Sequence, residues 1–250
     1  MPITAVIITY NEAHNISACV QSLMGVADEI LVIDSFSTDD TPKIAEKAGA
    51  KVIQMEWNGY AQTKNAANAI ASTPYILSID ADERLSEEMR NAILFLKNDL
   101  TGAYSFRRKN FFCGKWIRFC GWYPDIKVRL FPKNTSTWQG DFVHETLSIQ
   151  VPITLLEGDL QHFTYTKKEQ LPQKLQKYTD LAAQEMLKNS KKATIIKLYF
   201  SPILTFFKTY FLQFGIFDGY YGLFISYHLA KGVYMKYRKL AVISRRFTQI

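Results

Sequence analysis

In Tyr75-Ile76-Leu77-Ser78-Ile79-Asp80-Ala81-Asp82-Glu83 an apolar run of β-forming residues stops abruptly at two carboxylates one residue apart. A short apolar run bounded by charge reads as a buried strand, so Asp80 and Asp82 fall where that strand leaves its sheet, at the carboxyl end. Ligands of open α/β sheets bind along that edge. Two carboxylates there offer oxygen ligands to a hard divalent cation, which takes one or two carboxylates and completes its shell with substrate phosphates. The pair points to a site for a metal-bound nucleotide diphosphate. The plainer reading makes both acids solvated turn residues, with Asp82 or Ser86 capping the helix that Glu87 begins.

Strand and helix alternate around this stretch. Strands are expected at 3–9, 29–34, 51–54 and 75–79, each followed by a helix, at about 13–24, 41–48, 60–71 and 86–98. Pro42 in a first turn and Gly49 after Ala48 bound the second helix. Such alternation implies a Rossmann-like, mostly parallel sheet with right-handed crossovers. After residue 100 the pattern changes. Strands are expected at 103–108 and 126–131, around a loop dense in aromatic residues and glycine, then at 146–149, 153–156 and 160–163. An amphipathic helix is expected at 167–189, with Leu171, Leu175, Tyr178 and Ala182 on one face.

The chain of 250 residues carries a net charge of +7 that is unevenly spread: residues 1–160 hold 15 Lys and Arg against 19 Asp and Glu, residues 161–250 hold 15 against 4. The basic third faces an anionic partner surface. Between Ile195 and Tyr227 stand 12 aromatic residues, interrupted by Lys197, Pro202, Lys208 and Gln213. A lysine in mid-span costs about 2.5–3.5 kcal/mol on insertion scales. Helices lying in a membrane interface fit better than a spanning hairpin, with Lys231, Lys236, Arg238, Lys239, Arg245 and Arg246 meeting anionic lipid. A buried helical hairpin and a dimer interface are the soluble alternatives. The positive charge travels with aromatic helices rather than a groove pattern, which speaks against nucleic acid. Three cysteines, Cys19, Cys113 and Cys120, make no complete disulfide framework. With no basic leader before the first strand, they indicate a reduced, cytoplasmic setting.

The first strand ends in Thr9-Tyr10-Asn11-Glu12, polar groups able to grip a base or ribose, with Asn11 a candidate cap for the next helix. The second ends in Asp34-Ser35-Phe36-Ser37-Thr38-Asp39-Asp40, where an acid suits ribose hydroxyls. Neither a Gly-x-Gly-x-x-Gly fingerprint after the first strand nor a Gly-Lys-Ser/Thr loop is present, so dinucleotide and P-loop sites are unsupported.

Taken in order, Thr-Tyr-Asn-Glu, Val32-Ile-Asp-Ser-x-Ser-x-Asp-x-Thr41, Lys64-Asn65-Ala66 and Asp80-Ala81-Asp82 resemble the family 2 glycosyltransferases over roughly residues 1–150. The resemblance implies a GT-A fold over 1–165, with a nucleotide-binding half (1–100) and an acceptor half (101–165), followed by a basic helical region at 166–250. It implies inverting transfer of a sugar from a nucleoside diphosphate with Mg²⁺ or Mn²⁺. On the same resemblance Thr9, Tyr10 and Glu12 hold the base, Asp34 binds uracil or ribose, and Lys64 lies near base or diphosphate. Asp80 and Ala81 meet the ribose, and Asp82 the metal, with His162 a late metal ligand or diphosphate contact. Gly121-Trp122-Tyr-Pro-Asp125-x-Lys127-x-Arg129-Leu-Phe, then Trp138-x-Gly140 and Val143-His144-Glu145, resemble the lipopolysaccharide-core β-glucosyltransferases of that family.

Inverting transfer needs a base for the acceptor hydroxyl, and a carboxylate within hydrogen-bond reach serves. Glu145 is the first candidate and Asp125 the second. Lys127, Arg129 and Lys133 are candidates for the leaving diphosphate, although only one side of their strand can face the site. Trp116, Trp122 and Trp138 are candidates to stack on sugars, with core packing the alternative for Trp138. The expected activity is transfer of a hexose, glucose from UDP-glucose, to a sugar of a lipid-linked glycan at the cytosolic face of a membrane. A polyprenyl-phosphate acceptor and a non-catalytic nucleotide-sugar binding protein are the alternatives.

Overall fold

A computed structural model describes residues 1–140 and 145–247, with side chains through Ser244. Residues 1–100 run β1 (Ile3–Thr9), α1 (Ile16–Leu23), β2 (Glu29–Asp34), α2 (Thr41–Lys47), β3 (Lys51–Gln54), α3 (Tyr60–Ile70), β4 (Tyr75–Asp80), β5 (Glu83–Leu85) and α4 (Glu87–Leu96). Next come β6 (Ala103–Phe112), β7 (Lys115–Ile117), β8 (Asp125–Pro132), β9 (Ser136–Gln139), β10 (Thr146–Ile149) and β11 (Ile153–Tyr165). Three helices close the chain: α5 (Gln170–Lys188), α6 (Ile195–Phe207) and α7 (Tyr220–Phe247).

The chain divides into two compact units, residues 1–108 with 125–162, and residues 109–124 with 163–250. The aromatic loop belongs to the second unit.

The main sheet is ordered β3-β2-β1-β4-β8-β6-β11-β5. β3, β2, β1 and β4 are parallel, and β8 joins β4 antiparallel. β1, β2 and β4 are apolar along their length because both sheet faces are covered, as buried parallel strands require. On one face Ile3, Ile7, Val32 and Leu77 pack with Val20 and Leu23 of α1 and Met89 and Ile93 of α4. On the other, Val6, Leu31, Ile33 and Ile76 pack with Ala61 and Ala67 of α3, Phe131 and Trp138.

Helix starts follow local chemistry. Ser86 accepts the Met89 amide hydrogen and caps α4, with Glu87 and Glu88 in the first turn. α1 begins later than expected, with Asn15 at its N-cap position. Asn11 is instead in the left-handed region at φ 56°, which asparagine tolerates, and its Oδ1 accepts the Thr38 amide hydrogen at 2.8 Å. The two short strands expected at 153–156 and 160–163 are one strand, β11. Gly158 within it has φ 90°, and a Cβ there would lie 2.5 Å from the Met89 backbone nitrogen. Only glycine lets the start of α4 approach β11 so closely.

In the second unit β7 pairs with the end of β6. Phe112, Ile117, Cys120, Tyr165, Leu171 and Ile225 form its core, with Trp122 against them. α5 turns Leu171, Thr179 and Ala183 inward, with Leu175 against the core, while Tyr178 is exposed. The buried row thus advances by fours, and neither Tyr178 nor Ala182 belongs to it. Lys239, expected on lipid, holds α5 through Asp180 at 2.7 Å and the Gln176 carbonyl at 2.9 Å.

Candidate active site

Strand register gathers the polar strand ends of the first unit at one sheet edge. Thr9 lies opposite Asp34, and Ile8 opposite Asp80, at the carboxyl ends of three neighbouring parallel strands. This is the edge where α/β sheets take ligands. Tyr10 is exposed there. Glu12 accepts from Asn15 Nδ2 at 2.8 Å. Asp34 is fully buried, and its carboxylate accepts the Ser37 amide hydrogen at 2.9 Å and the Ser37 hydroxyl. It shapes the 34–37 turn. Thr9 Oγ1 is buried without a partner among the described residues.

Asp80 ends β4, and about a third of its side chain remains exposed. Arg129 Nη2 donates to its Oδ2 at 2.6 Å, and Lys64 Nζ lies 3.6 Å from its Oδ1. Burial pushes the Asp80 carboxyl up, but Arg129 and then Lys64 outweigh it and hold the group far below the usual carboxylate range. Ala81, between Asp80 and Asp82, is buried.

The short strand β5 was not expected from the sequence, and it builds the other half of the site. It pairs with β11 so that Glu83 lies opposite His162. His162 Nε2 then stands 3.2 Å from Asp82 Oδ2. A carboxylate and an imidazole, 80 residues apart in sequence, face one another at the sheet edge. Both are groups that could hold a divalent cation. Among the described residues no group of three or more ligating side chains exists. Val143 and His144 lie outside the described residues.

α3 supplies the cation. The Asn65 side chain donates to the Trp138 carbonyl at 2.8 Å and accepts the Trp138 amide hydrogen at 2.9 Å, which docks β9 on α3. β10 pairs with β9, Thr146 opposite Gln139, and so brings Glu145 to Lys64. Lys64, only 3% exposed, lies 4.4 Å over the Trp138 ring and donates to Glu145 Oε1 at 3.2 Å. Glu145 and Asp80 thus share one buried ammonium. Trp138 packs in the core, as its alternative reading held.

The remaining candidates separate. Asp125 accepts from Arg108 at 2.6 and 2.9 Å and pairs with Lys127 at 3.3 Å. Burial raises its carboxyl, but Arg108 and then Lys127 together outweigh that and hold it below the usual range. Lys127 is half exposed, whereas the Arg129 side chain is 5% exposed and pairs with Asp80 and Glu83. Lys133 Nζ binds the Ala69 and Ala71 carbonyls at the end of α3, where a cation complements the helix terminus. Trp116 and Trp122 pack in the second unit, against Phe163 and against Phe112 and Tyr165. Two residues with evident roles were not singled out. Asn65 was visible only as part of Lys-Asn-Ala, and Glu83 only as the residue after the acid pair.

A family model described as "Glycosyl transferase family 2" matches residues 4–144. An uncharacterized glycosyltransferase of Rickettsia felis is 32% identical, across 87% of this chain and 83% of its own length. The lipopolysaccharide core biosynthesis glycosyltransferase LpsC of Rhizobium meliloti is 29% identical, across 84% of this chain and 81% of its own. Among solved structures the chain is similar to S. aureus TarS 1–349, at 17% identity and TM-score 0.48 over 98% of this chain and 92% of that one.

Proposed function

The chain belongs to glycosyl transferase family 2 and has its GT-A fold, and we propose that it moves glucose from UDP-glucose, with inversion, to a sugar of a lipid-linked glycan such as lipopolysaccharide core. The observation that carries the site reading is the Asp82–His162 pair beside Asp80, at the carboxyl edge of the parallel strands. The likeness to LpsC supports the acceptor class.

In this reading Asp82 and His162 hold Mg²⁺ or Mn²⁺. When bound, the ion supplies positive charge to the diphosphate, which leaves as the sugar is transferred. Thr9, Tyr10 and Glu12 line the base position, and Asp80 accepts from the ribose hydroxyls. Lys64 faces the same edge and stabilises the charge that develops on the leaving diphosphate. Glu145 takes the proton of the acceptor hydroxyl as that oxygen attacks the anomeric carbon from the side opposite the leaving group. Backside attack inverts the anomeric centre. Asp125 is the weaker candidate for the base because its Oδ2 already accepts twice from Arg108 and its Oδ1 pairs with Lys127.

The exposed apolar surface of the second unit supports a place at the cytosolic face of a membrane, peripheral to it. Ile195, Ile196, Phe200, Ile203, Leu204 and Leu212 are each at least 60% exposed. Ile195–Leu212 is also long and apolar enough to cross a membrane by length and composition alone. That favours, as a second reading, a polyprenyl-phosphate acceptor within the bilayer.

The test is Glu145→Gln assayed against UDP-glucose, UDP-galactose, UDP-GlcNAc and GDP-mannose with lipooligosaccharide and polyprenyl-phosphate acceptors. The expected result is turnover with UDP-glucose on lipooligosaccharide, reduced at least about 100-fold in the variant while donor binding persists. Unaltered turnover would remove Glu145 from the mechanism. Donor binding without turnover by the natural protein on any acceptor would favour the non-catalytic binding reading.

A further inference from the structure

Glu83 is a buried carboxylate that the reading above does not use. It directly follows Asp82, opens β5, and its side chain has no exposed surface. Its Oε2 accepts the Asp80 amide hydrogen at 3.0 Å and closes the acid turn from within. Its Oε1 accepts from Arg129 Nη2 at 2.6 Å and from Arg108 Nη1 at 3.3 Å. The same Arg129 nitrogen donates to Asp80 Oδ2, also at 2.6 Å. Acid and base therefore alternate in a row: Asp80, Arg129, Glu83, Arg108, Asp125. Glu83 is sealed off, whereas Asp80 at one end and Asp125 at the other keep about a third and a quarter of their side chains in solvent.

One guanidinium nitrogen divided between two carboxylates satisfies each only in part. A hydrogen bond to a charged group is strong, and its strength depends on how far that charge is already compensated. If Arg129 belonged to Asp80 alone, the carboxylate would have little left for a ligand hydroxyl or cation. Glu83 draws the guanidinium inward, and Arg108 in turn draws on Glu83.

We propose that Glu83 is a positioning residue that sets donor affinity by competing with Asp80 for Arg129, leaving Asp80 free to accept from the donor. This rests on the reading of Asp80 as a donor-binding residue. The two neighbours of the shared cation then act with opposite sign. Glu83→Gln keeps an acceptor for the Asp80 amide but releases Arg129 to Asp80, which weakens donor binding. Arg108→Gln, which does not touch Asp80, leaves Arg129 as the chief partner of Glu83 and strengthens it.

The experiment is calorimetric titration of the full chain with UDP in the presence of Mn²⁺, for the natural protein and both variants, with folding checked by circular dichroism. The expected result is a Kd raised about tenfold in Glu83→Gln and lowered two- to threefold in Arg108→Gln, the former being the loss of roughly one charge-assisted hydrogen bond. Two unchanged affinities, or two weakened ones, would overturn the inference, because a merely structural Glu83 cannot produce opposite shifts. If Glu83→Gln does not fold, Arg108→Gln decides alone: tighter binding supports the competition, and equal or weaker binding refutes it. A natural protein that binds no UDP with Mn²⁺ fails the donor-site reading itself, and this inference with it.

Discussion

At the scale of single residues, charge in the site is rationed. Lys64 Nζ serves Glu145 at 3.2 Å and Asp80 at 3.6 Å. An incoming diphosphate would draw on the same ammonium, which loosens its hold on Glu145 at the moment a base is needed. Asp125 offers a sharper test because its partners are fixed. Its folded carboxyl is held below the ordinary value, near 3.9 in an unfolded chain, so the Arg108 pair stabilises the fold above that pH. The contribution disappears as pH falls through the folded value. Melting curves of Asp125→Asn should therefore lie below those of the natural protein at pH 7 and converge with them once the pH has fallen below the folded carboxyl's own, lowered value; a gap independent of pH would show that the carboxylate's charge is not what matters. Asp80 and Asp82 were legible in the sequence because strand, turn and acid pair are neighbours along the chain. Asn65 and Glu83 were not, because each acquires its role from partners 73 and 46 residues away.

At the scale of elements, the site depends on two pairings that local patterns do not announce. β5 has three residues, too few for any period to register, yet its pairing with β11 sets His162 beside Asp82. β9 is held to α3 by the Asn65 side chain and by the packing of Trp138, and it carries β10 and Glu145 with it. The parallel strands, by contrast, were legible almost to the residue, because burial on both faces demands unbroken apolar runs. The single strand β11 was expected as two, separated at Glu157, Gly158 and Asp159; Gly158 allows close packing there. Gly158→Ala places a side chain at φ 90° and 2.5 Å from the Met89 nitrogen. The expected cost is about 3 kcal/mol or more in denaturant unfolding. A change under about 0.5 kcal/mol, the scale of an ordinary surface substitution, would mean that α4 and β11 do not meet as described.

At the scale of the whole chain, the division of charge read from the sequence coincides with a division of surface. The basic second unit exposes Phe200, Ile203, Leu204 and Leu212, while Lys191, Lys197 and Lys236 line a hollow of about 390 Å³ between its helices. Phe200→Ser with Ile203→Ser should cut sedimentation with phosphatidylglycerol-containing vesicles about tenfold, since two large apolar side chains no longer leave water. Uncharged vesicles should bind the natural protein weakly at best. Equal recovery of variant and natural protein on anionic vesicles would assign that face to something other than lipid. The family and its fold were legible because their signature lies in strand ends met in fixed order; the acceptor was not, because no short residue pattern encodes a sugar. The metal–nucleotide site is tested by thermal unfolding with UDP, with and without Mn²⁺, in the natural protein and in Asp82→Asn. Ligands that bind only the folded state raise the melting temperature. A UDP shift deepened by Mn²⁺ is expected in the natural protein, with the Mn²⁺ increment lost in Asp82→Asn. No shift with folded protein, or an equal Mn²⁺ increment in both, would return Asp82 to the role of a turn residue.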